Sequence, residues 1–343
     1  MSRLIVGVRR ERMPGEGRIP LFPETMALLR RDLESAGVVL GFIVESGLGQ
    51  EVDLDDSDWR AEAIVTSDLG ILYESADIVL GVKQPTWEEV GNLRQGQGLS
   101  CFYHVNANRE VVKALLAKGV KILPLERHRP SLSAMSREAG KRIPDVLDRC
   151  YQGDWRKENF FFLGARGTVC RHAIDAVLGQ DVKISQISAF DLEAGPYTAC
   201  DVQHPTTYET FSVADGDQMR ERLQISRIIV LAALGRDGVA PKIITSEHLG
   251  ILPHESLIVQ VSIDEGGNID DERFCRVTYW DDPVYEVRLG PKALRVCNVP
   301  DIPGCIRPEG SSRALEMANY DYYVKIFQAW PNIPEGYLLT QVS

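Results

Sequence analysis

Short apolar runs alternate with amphipathic segments from the first residues of the chain onward. The runs have the length of buried strands, and the segments between them have the spacing of helices that cover a sheet. In the first part of the chain, strands are predicted at residues 4–8, 38–45, 63–66, 76–82, 98–105 and 120–126, and helices at residues 23–37 and 108–119. Strands that alternate with helices in this way predict a mostly parallel, doubly wound α/β sheet.

The same rhythm restarts at Phe160, after a predicted linking helix over residues 136–151. Further strands are predicted at residues 185–190, 227–234 and 256–264, and a long amphipathic helix at residues 311–330. We therefore predict two Rossmann-like α/β domains with an active-site cleft between them. The last helix is expected to return to the first domain. The predicted substrate domain is then discontinuous, residues 1–135 plus 305–343, and the dinucleotide-binding domain is residues 136–304.

A glycine turn, Gly164 to Gly167, joins the apolar run at Phe160 to a helical pattern. In a strand–turn–helix, free backbone N–H groups and the helix dipole point at one spot, and glycine lets a pyrophosphate approach closely. The next predicted strand ends at Asp191, where a carboxylate can bind ribose hydroxyls. The common G-x-G-x-x-G spacing is absent, and Cys170 stands where a third glycine would be. Because many such turns bind nothing, a turn without a ligand is the alternative.

Three polar residues of the first half fall at or just past predicted strand ends, namely Lys83, His104 and Glu126. The carboxyl ends of parallel strands meet at one edge of a sheet, so we expect these side chains to converge. A histidine can give and take a proton near neutral pH, and a lysine can bind a carboxylate or act in acid–base chemistry. The alternative is that each is a solvated loop residue. Arg18, just before the first helix, is either a bidentate carboxylate ligand or an ordinary surface residue.

The second half offers two further candidates. Asp264 is predicted at a strand end before Gly266 and Gly267, and paired glycines there would let the backbone approach a nicotinamide ring; a plain turn is the alternative. Asn298 lies where the chain crosses back to the first domain. The remaining histidines lack metal-ligand spacing, and we interpret them as structural or surface residues: His128, His172, His204, His248 and His254. No metal site is predicted.

Composition restricts the class of protein. With 343 residues, 44% hydrophobic content and 25% charged content, the chain is typical of a soluble two-domain protein. Its net charge of −11 argues against nucleic acid or an anionic membrane as the main partner. No apolar run approaches the roughly 20 residues that span a bilayer. The seven cysteines include no C-x-x-C pair and indicate reduced thiols in a cytoplasmic protein.

The order of these motifs resembles the alanine dehydrogenase and pyridine nucleotide transhydrogenase family, and within it the lysine-forming saccharopine dehydrogenase branch. The resemblance covers nearly the whole chain. It rests on RIPLFP from Arg18, GVKQP with Lys83, CFYHVN with His104, PLE with Glu126, the turn Ala134-Met135-Ser136, and GARGTVCRHAID. The glycine turn looks like the saccharopine branch, whereas SIDEGG and CNVP look like the alanine dehydrogenases. Gln84 replaces the glutamate that is common in both.

The resemblance implies an NAD-dependent oxidoreductase that acts on the C–N bond of an amino acid or opine. His104 and Lys83 would be the acid–base pair, Glu126 would tune Lys83, and Asp264 would face the reacting carbon. Arg18 and Lys83 would hold the substrate carboxylate, with Asn298 near the nicotinamide. The residues expected at the cofactor are Gly164, Ala165, Arg166, Gly167, Thr168, Asp191, Ser136 and Leu234.

Several alternatives stay open. Asp191 favours NAD because a carboxylate repels a 2′-phosphate, but Arg166 keeps NADP possible. The substrate is a small amino acid or oxo acid in either case. An ammonia-using dehydrogenase of the alanine dehydrogenase type is one alternative to the saccharopine-like reaction, and a non-catalytic dinucleotide-binding module is another. A monomer and a homo-oligomer are both compatible with the sequence.

Overall fold

The computed structural model describes residues 2–203, 205–235 and 237–342. The chain divides into two compact units, unit 1 with Met1–Met135 and Pro303–Ser343, and unit 2 with Ser136–Ile302. Which unit binds the substrate and which the dinucleotide stays a prediction, as does the cleft between them. His204, interpreted above as structural, lies outside the described residues.

Within the described ranges the structure has fourteen strands and twelve α-helices. The strands are β1 (Ser2–Val8), β2 (Val38–Glu45), β3 (Ile64–Thr66), β4 (Ile78–Lys83), β5 (Gly98–Phe102), β6 (Lys121–Pro124), β7 (Phe160–Leu163), β8 (Ile187–Asp191), β9 (Gly195–Thr198), β10 (Thr207–Ser212), β11 (Ile228–Leu231), β12 (Leu257–Gln260), β13 (Val284–Leu289) and β14 (Lys292–Cys297). The helices are α1 (Pro23–Ser35), α2 (Asp56–Trp59), α3 (Leu69–Ser75), α4 (Trp87–Asn92), α5 (Arg109–Ala117), α6 (Arg129–Lys141), α7 (Ile143–Cys150), α8 (Thr168–Leu178), α9 (Gly216–Ile225), α10 (Ser246–Ile251), α11 (Ile302–Cys305) and α12 (Pro308–Ala329).

Unit 1 is built on a parallel sheet of strand order β3-β2-β1-β4-β5-β6. Side chains alternate across this sheet, because successive residues of a strand point to opposite faces. Ile78, Leu80 and Val82 of β4 pack in one buried cluster with α1 and α12, and Val79 packs in another with α3 and α5. Helices therefore cover both faces, and the carboxyl ends of the strands meet at one edge.

Unit 2 repeats this arrangement with two additions. Its parallel strands have the order β10-β8-β7-β11-β12-β14, and the antiparallel strands β9 and β13 extend the two edges. In both sheets the direction of chain progression reverses beside the first strand, between β1 and β4 and between β7 and β11. Ligands of open α/β sheets bind at such switch points. The predicted fold class, two α/β units with mostly parallel sheets, is confirmed.

The structure differs from the sequence-based prediction in several elements. The linking helix is broken at Arg142 into α6 and α7, because Pro144 in the first turn of α7 lacks the N–H that a continuous helix needs. The strand that was predicted to reach Asp264 ends at Gln260. The β9–β10 hairpin was missed, since its short, polar strands have no apolar run.

Gly140 of α6 gives a test of the packing in unit 2. A Cβ at this position would lie 2.3 Å from the Val169 carbonyl oxygen and 2.8 Å from the His172 Cβ, both in α8. Gly140→Ala should therefore destabilise the protein by about 1–3 kcal/mol through overpacking. The matched control is Gly250→Ala in α10, where a Cβ meets nothing within 4 Å. Urea unfolding followed by circular dichroism measures both. Equal midpoints for the two variants would contradict the close α6–α8 contact.

Candidate functional site

Lys83 and His104 meet at the carboxyl edge of the unit 1 sheet. Lys83 is the last residue of β4 and pairs in register with Phe102, the last residue of β5, so His104 follows two positions later. The Lys83 Nζ lies 3.4 Å from the His104 Nε2. Lys83 is only 4% exposed, which makes a purely solvated loop role untenable for it. The expected convergence of these two side chains is present.

The backbone of His104 adopts an uncommon conformation. Its φ of 45° lies in the left-handed region, which costs a non-glycine residue on the order of 1 kcal/mol. The following turn compensates, because the N–H groups of Ala107 and Asn108 donate to the His104 carbonyl at 2.8 and 3.1 Å. The Asn108 Nδ2 also donates to the Tyr103 carbonyl at 2.9 Å. Asn108 was not predicted as a site residue. Its contacts hold the backbone on both sides of His104 and so orient that residue.

Glu126 lies beside the backbone that carries His104. Strand β6 ends at Pro124, and Glu126 lies in the 3₁₀ turn Leu125–Arg127 that follows. Its carboxylate accepts the Tyr103 N–H at 3.1 and 3.2 Å. Burial raises the pKa of Glu126, and its own backbone, His104 and the Tyr103 N–H oppose the shift only in part. The coupling of Glu126 to Lys83 stays a prediction, and the end of β6 adjoins β5 rather than β4.

Arg18 is buried and already pairs with a carboxylate. Its Nε donates to Glu16 Oε1 at 2.8 Å, its Nη2 forms an ion pair with the other carboxylate oxygen, and its Nη1 contacts the Met135 Sδ at 2.9 Å. Burial excludes an ordinary surface role. Arg18 also lines a pocket of about 160 Å³ in unit 1, together with Arg10, Glu11, Glu16, Gly17, Ile19, Gly47, Leu48, Gly49, Gln50 and Glu51. Its role in carboxylate binding stays a prediction.

The glycine turn of unit 2 has the shape that a pyrophosphate requires. Gly164 has a φ of 86°, and a Cβ there would lie 2.9 Å from the backbone of Ala233 beyond β11. A Cβ on Gly167 would lie 2.9 Å from the Gly164 carbonyl oxygen. The N–H groups of Gly164 and Ala165 donate to Phe190, and that of Gly167 to Gly164. The first-turn N–H groups of α8, from Thr168 onward, have no partner within the helix and are the groups placed to bind an anion, and their contact with a pyrophosphate stays a prediction.

The side chains of Asp191 and Arg166 both have partners within unit 2 at this turn. Asp191 ends β8 as predicted, and its carboxylate accepts the N–H groups of Arg166 and Leu192, each at 2.8 Å. The Arg166 guanidinium turns to Glu193, with Nη1 to Oε2 at 2.6 Å, and to the Thr210 hydroxyl at 2.9 Å. It is thus committed to a carboxylate rather than presented to a 2′-phosphate. Two carboxylates at this strand end favour NAD over NADP.

Three other expected cofactor contacts and Cys170 have clear places. The buried Cys170 lies against the strand, where its Sγ donates to the Leu163 carbonyl at 3.2 Å, so close helix–strand packing does not need a third glycine. Ala165 is buried and its carbonyl accepts the Tyr208 hydroxyl at 2.9 Å. Ser136 lies one helical turn before Gly140, on the helix that contacts the start of α8. Leu234 is 48% exposed beyond β11.

Asp264 and Asn298 occupy different surroundings from those expected. Asp264 lies in the 3₁₀ helix Ile263–Glu265, four residues past the end of β12, and the left-handed Gly266 follows it. Asn298 is fully buried, and its Nδ2 donates to the carbonyls of Phe274 and Arg276 at 2.7 and 3.0 Å. These contacts brace the interior of unit 2. The predicted roles of both residues toward substrate find no support in them.

Charged residues that follow β1 were missed. Arg9 is fully buried, and the Glu11 carboxylate accepts the N–H groups of Val82 and Lys83 at 2.5 and 3.1 Å. The sequence signal was present, because an arginine and a glutamate directly after a buried first strand stand at the switch point of a doubly wound sheet.

The raised pKa of Glu126 predicts a pH-dependent stability. A carboxyl whose pKa is higher in the folded protein than in the unfolded chain adds stability at low pH, and this contribution is lost as pH rises through the folded value. Wild type should therefore lose stability relative to Glu126→Gln as pH rises from 4 to 7. Urea unfolding of both proteins at several pH values measures the difference. A difference that stays constant, or that grows in favour of wild type, would refute the raised pKa.

Comparison with known proteins was made for the sequence and for the fold. Two family models match, Alanine dehydrogenase/PNT, N-terminal domain, over residues 7–138 and Alanine dehydrogenase/PNT, C-terminal domain, over residues 157–333. An alanine dehydrogenase of Mycolicibacterium smegmatis is 26% identical over 94% of this chain and 87% of its own. Alanine dehydrogenase 1 of Staphylococcus aureus is 26% identical with the same coverage.

Solved structures agree on the fold. An L-alanine dehydrogenase matches with a TM-score of 0.73 at 21% identity over 94% of this chain and 90% of its own. A transhydrogenase from Sinorhizobium meliloti matches with a TM-score of 0.71 at 19% identity over 94% of both chains. In the described part of the chain, no helix combines the length and apolar character needed to cross a membrane. The matches confirm the predicted enzyme class, a nicotinamide-dependent amino acid dehydrogenase, and the predicted cofactor, NAD. Since the two models together span most of its length, the chain belongs to the alanine dehydrogenase/PNT family.

Proposed function

We propose that this protein interconverts a small 2-amino acid with the corresponding 2-oxo acid and ammonia, in an NAD-dependent reaction of the alanine dehydrogenase type. The observation that carries the proposal is the 3.4 Å approach of the Lys83 Nζ to the His104 Nε2 at a strand edge. This reaction needs an ammonium group that binds the substrate carboxylate, beside an imidazole that transfers protons. A binding module without catalysis has no use for it.

The ammonia-using reaction is preferred here over the saccharopine-like one that the glycine turn first suggested. The relatives described above are alanine dehydrogenases, whereas the features that favoured the saccharopine branch were the spacing of GARG and its distance to Asp191. Those features describe how a dinucleotide is held and carry no information about the amine. Specificity for the amine resides in the residues around Lys83 and His104.

Each candidate site residue of unit 1 has a defined role in this proposal. Lys83 holds the substrate carboxylate, and His104 removes a proton from the water that attacks the imine. His104 then returns a proton to the departing nitrogen and accepts the hydroxyl proton as the tetrahedral intermediate collapses to oxo acid and ammonia. Glu126, beside His104, stabilises the imidazolium that forms between these two transfers. Arg18 is a second candidate for the carboxylate.

In unit 2, the first turn of α8 is assigned to the pyrophosphate and Asp191 to the adenosine ribose. Bound NAD would supply the hydride acceptor for the Cα–H bond. The pairing of Arg166 with Glu193 supports NAD rather than NADP, because it withdraws the cation nearest Asp191. The state of assembly and the cytoplasmic location stay predictions.

Replacement of His104 tests the proton-transfer assignment. His104→Gln should lower kcat by a factor on the order of 10² or more, because general acid–base catalysis contributes about that much. NADH binding, followed by quenching of tryptophan fluorescence, should be unchanged. His254→Gln, at an exposed histidine of unit 2, is the control and should retain full turnover. Turnover of His104→Gln equal to that of the control would remove His104 from the mechanism.

A substrate panel tests the reaction itself. NADH absorbance is followed with several 2-oxo acids, each with ammonia or with lysine as the amine, and in reverse with the matching amino acids. Turnover with ammonia and a small oxo acid is the expected result. Turnover only with lysine would establish the opine-type reaction instead. NADH binding without turnover across the panel would identify a dinucleotide-binding module.

A further inference from the structure

On the side of the sheet that faces β1, the backbone of Lys83 is held by side chains, because the strand pairing there has ended, whereas on the other side Lys83 stays in register with Phe102 of β5. The register of β1 on β4 ends at Val8 and Leu80, so β4 continues past its neighbour. Beyond that point the Glu11 carboxylate accepts the N–H groups of Val82 and Lys83, at 2.5 and 3.1 Å. The Arg9 Nη2 donates to the Lys83 carbonyl. Both backbone polar groups of Lys83 are therefore bound by the two charged residues that follow β1.

Arg9 is built into this place with little freedom. Its side chain is fully buried, and its Nη1 also donates to the Arg10 carbonyl at 3.1 Å and to Glu89 Oε1 at 3.4 Å. Burial opposes its charge, but the carboxylates of Glu11 and Glu89 raise the pKa of Arg9 above its ordinary value, so it stays a cation. A Cβ on Gly81 would lie 2.7 Å from the Arg9 Nε. A glycine in the middle of β4 thus makes room for the guanidinium.

Glu89 extends the same network to the other side of Lys83. Its carboxylate accepts the Thr86 N–H at 2.9 Å and its own N–H donates to the Thr86 hydroxyl at 3.3 Å, a capping box that starts α4. Arg9 therefore joins the end of β4 to the start of α4. The segment between them, which carries Lys83, is fixed at both ends by one guanidinium.

We propose that Arg9 and Glu11 are positioning residues for Lys83, and that they set the place of its ammonium group beside His104 by clamping the Lys83 backbone. The proposal rests on the function proposed above for the kinetic part of its test, and on the Lys83–His104 geometry alone for the spectroscopic part. Neither Arg9 nor Glu11 is assigned a contact with substrate. A displacement of about 1 Å at such a group is enough to lower a rate constant on the order of 10²-fold.

The kinetic test uses three variants. Glu11→Gln keeps the side-chain volume but accepts the two N–H groups less well. Arg9→Lys keeps the charge but loses the forked guanidinium donors. Gly81→Ala pushes the guanidinium aside without replacing a charged residue. Each should raise the KM for the oxo acid at least fivefold and lower kcat/KM tenfold or more, and leave the Kd for NADH within twofold of wild type. Gly41→Ala in β2, where a Cβ meets nothing within 4 Å, is the matched control and should behave as wild type.

The spectroscopic test needs no activity. Proteins labelled with 13C at lysine Cε are titrated by NMR, and the Lys83 signal is assigned by its loss in Lys83→Arg. In the three variants this signal should shift and its titration midpoint should move, whereas the control should match wild type. An unchanged Lys83 titration in folded Gly81→Ala and Arg9→Lys would overturn the proposal. Should wild type prove inactive across the panel, the proposed reaction fails, and the NMR result still decides the positioning proposal. Should Glu11→Gln not fold, the other two variants decide it.

Discussion

A parallel strand that runs past its neighbour leaves backbone N–H and C=O groups without partners, and a buried group of that kind costs free energy comparable to a lost hydrogen bond. β4 meets this constraint at Val82 and Lys83, beyond the end of β1. The groups are bound by Glu11 and Arg9, which the chain supplies directly after β1. The site of unit 1 depends on this solution, because the two side chains replace the missing β1 partner of β4 and keep Lys83 in one place beside β5.

The same constraint is met differently in unit 2. At the end of β7 the chain turns at once into α8, and the N–H groups of Gly164 and Ala165 find the Phe190 carbonyl of the neighbouring strand. The backbone donors of the turn are thereby consumed, and the uncapped first turn of α8 is left to attract an anion. Charged side chains close the strand end in unit 1, whereas glycine geometry closes it in unit 2. The proposed function assigns the proton-transferring pair to the first of these switch points and the pyrophosphate to the second.

The sequence predicted those parts of the site that follow from strand ends. Lys83, His104 and Asp191 each terminate or closely follow an apolar run. Each parallel sheet brings such residues to its own carboxyl edge, so their placement could be expected. The proximity of Glu126 to the His104 backbone was not predicted, because the order of strands, which puts β6 beside β5, is not written in the spacing of motifs. Asp264 was predicted at a strand end, but β12 already ends at Gln260. The two left-handed glycines after Asp264 are also found in ordinary turns.

Arg9 and Arg166 show why charged residues are the hardest to interpret from sequence. Arg9 was not among the predicted site residues, yet it is fully buried, since a guanidinium is tolerated inside a protein when carboxylates and carbonyls surround it. Arg166 looked like a ligand for a 2′-phosphate, yet it is bound to Glu193 and Thr210. In both cases a carboxylate from far along the chain, Glu89 for Arg9 and Glu193 for Arg166, reaches the arginine only through the folded structure, although Glu11 lies close to Arg9 in sequence as well. The charge of an arginine therefore indicates that an oppositely charged or polar partner exists. Only the folded structure shows whether that partner is a ligand or another residue of the protein.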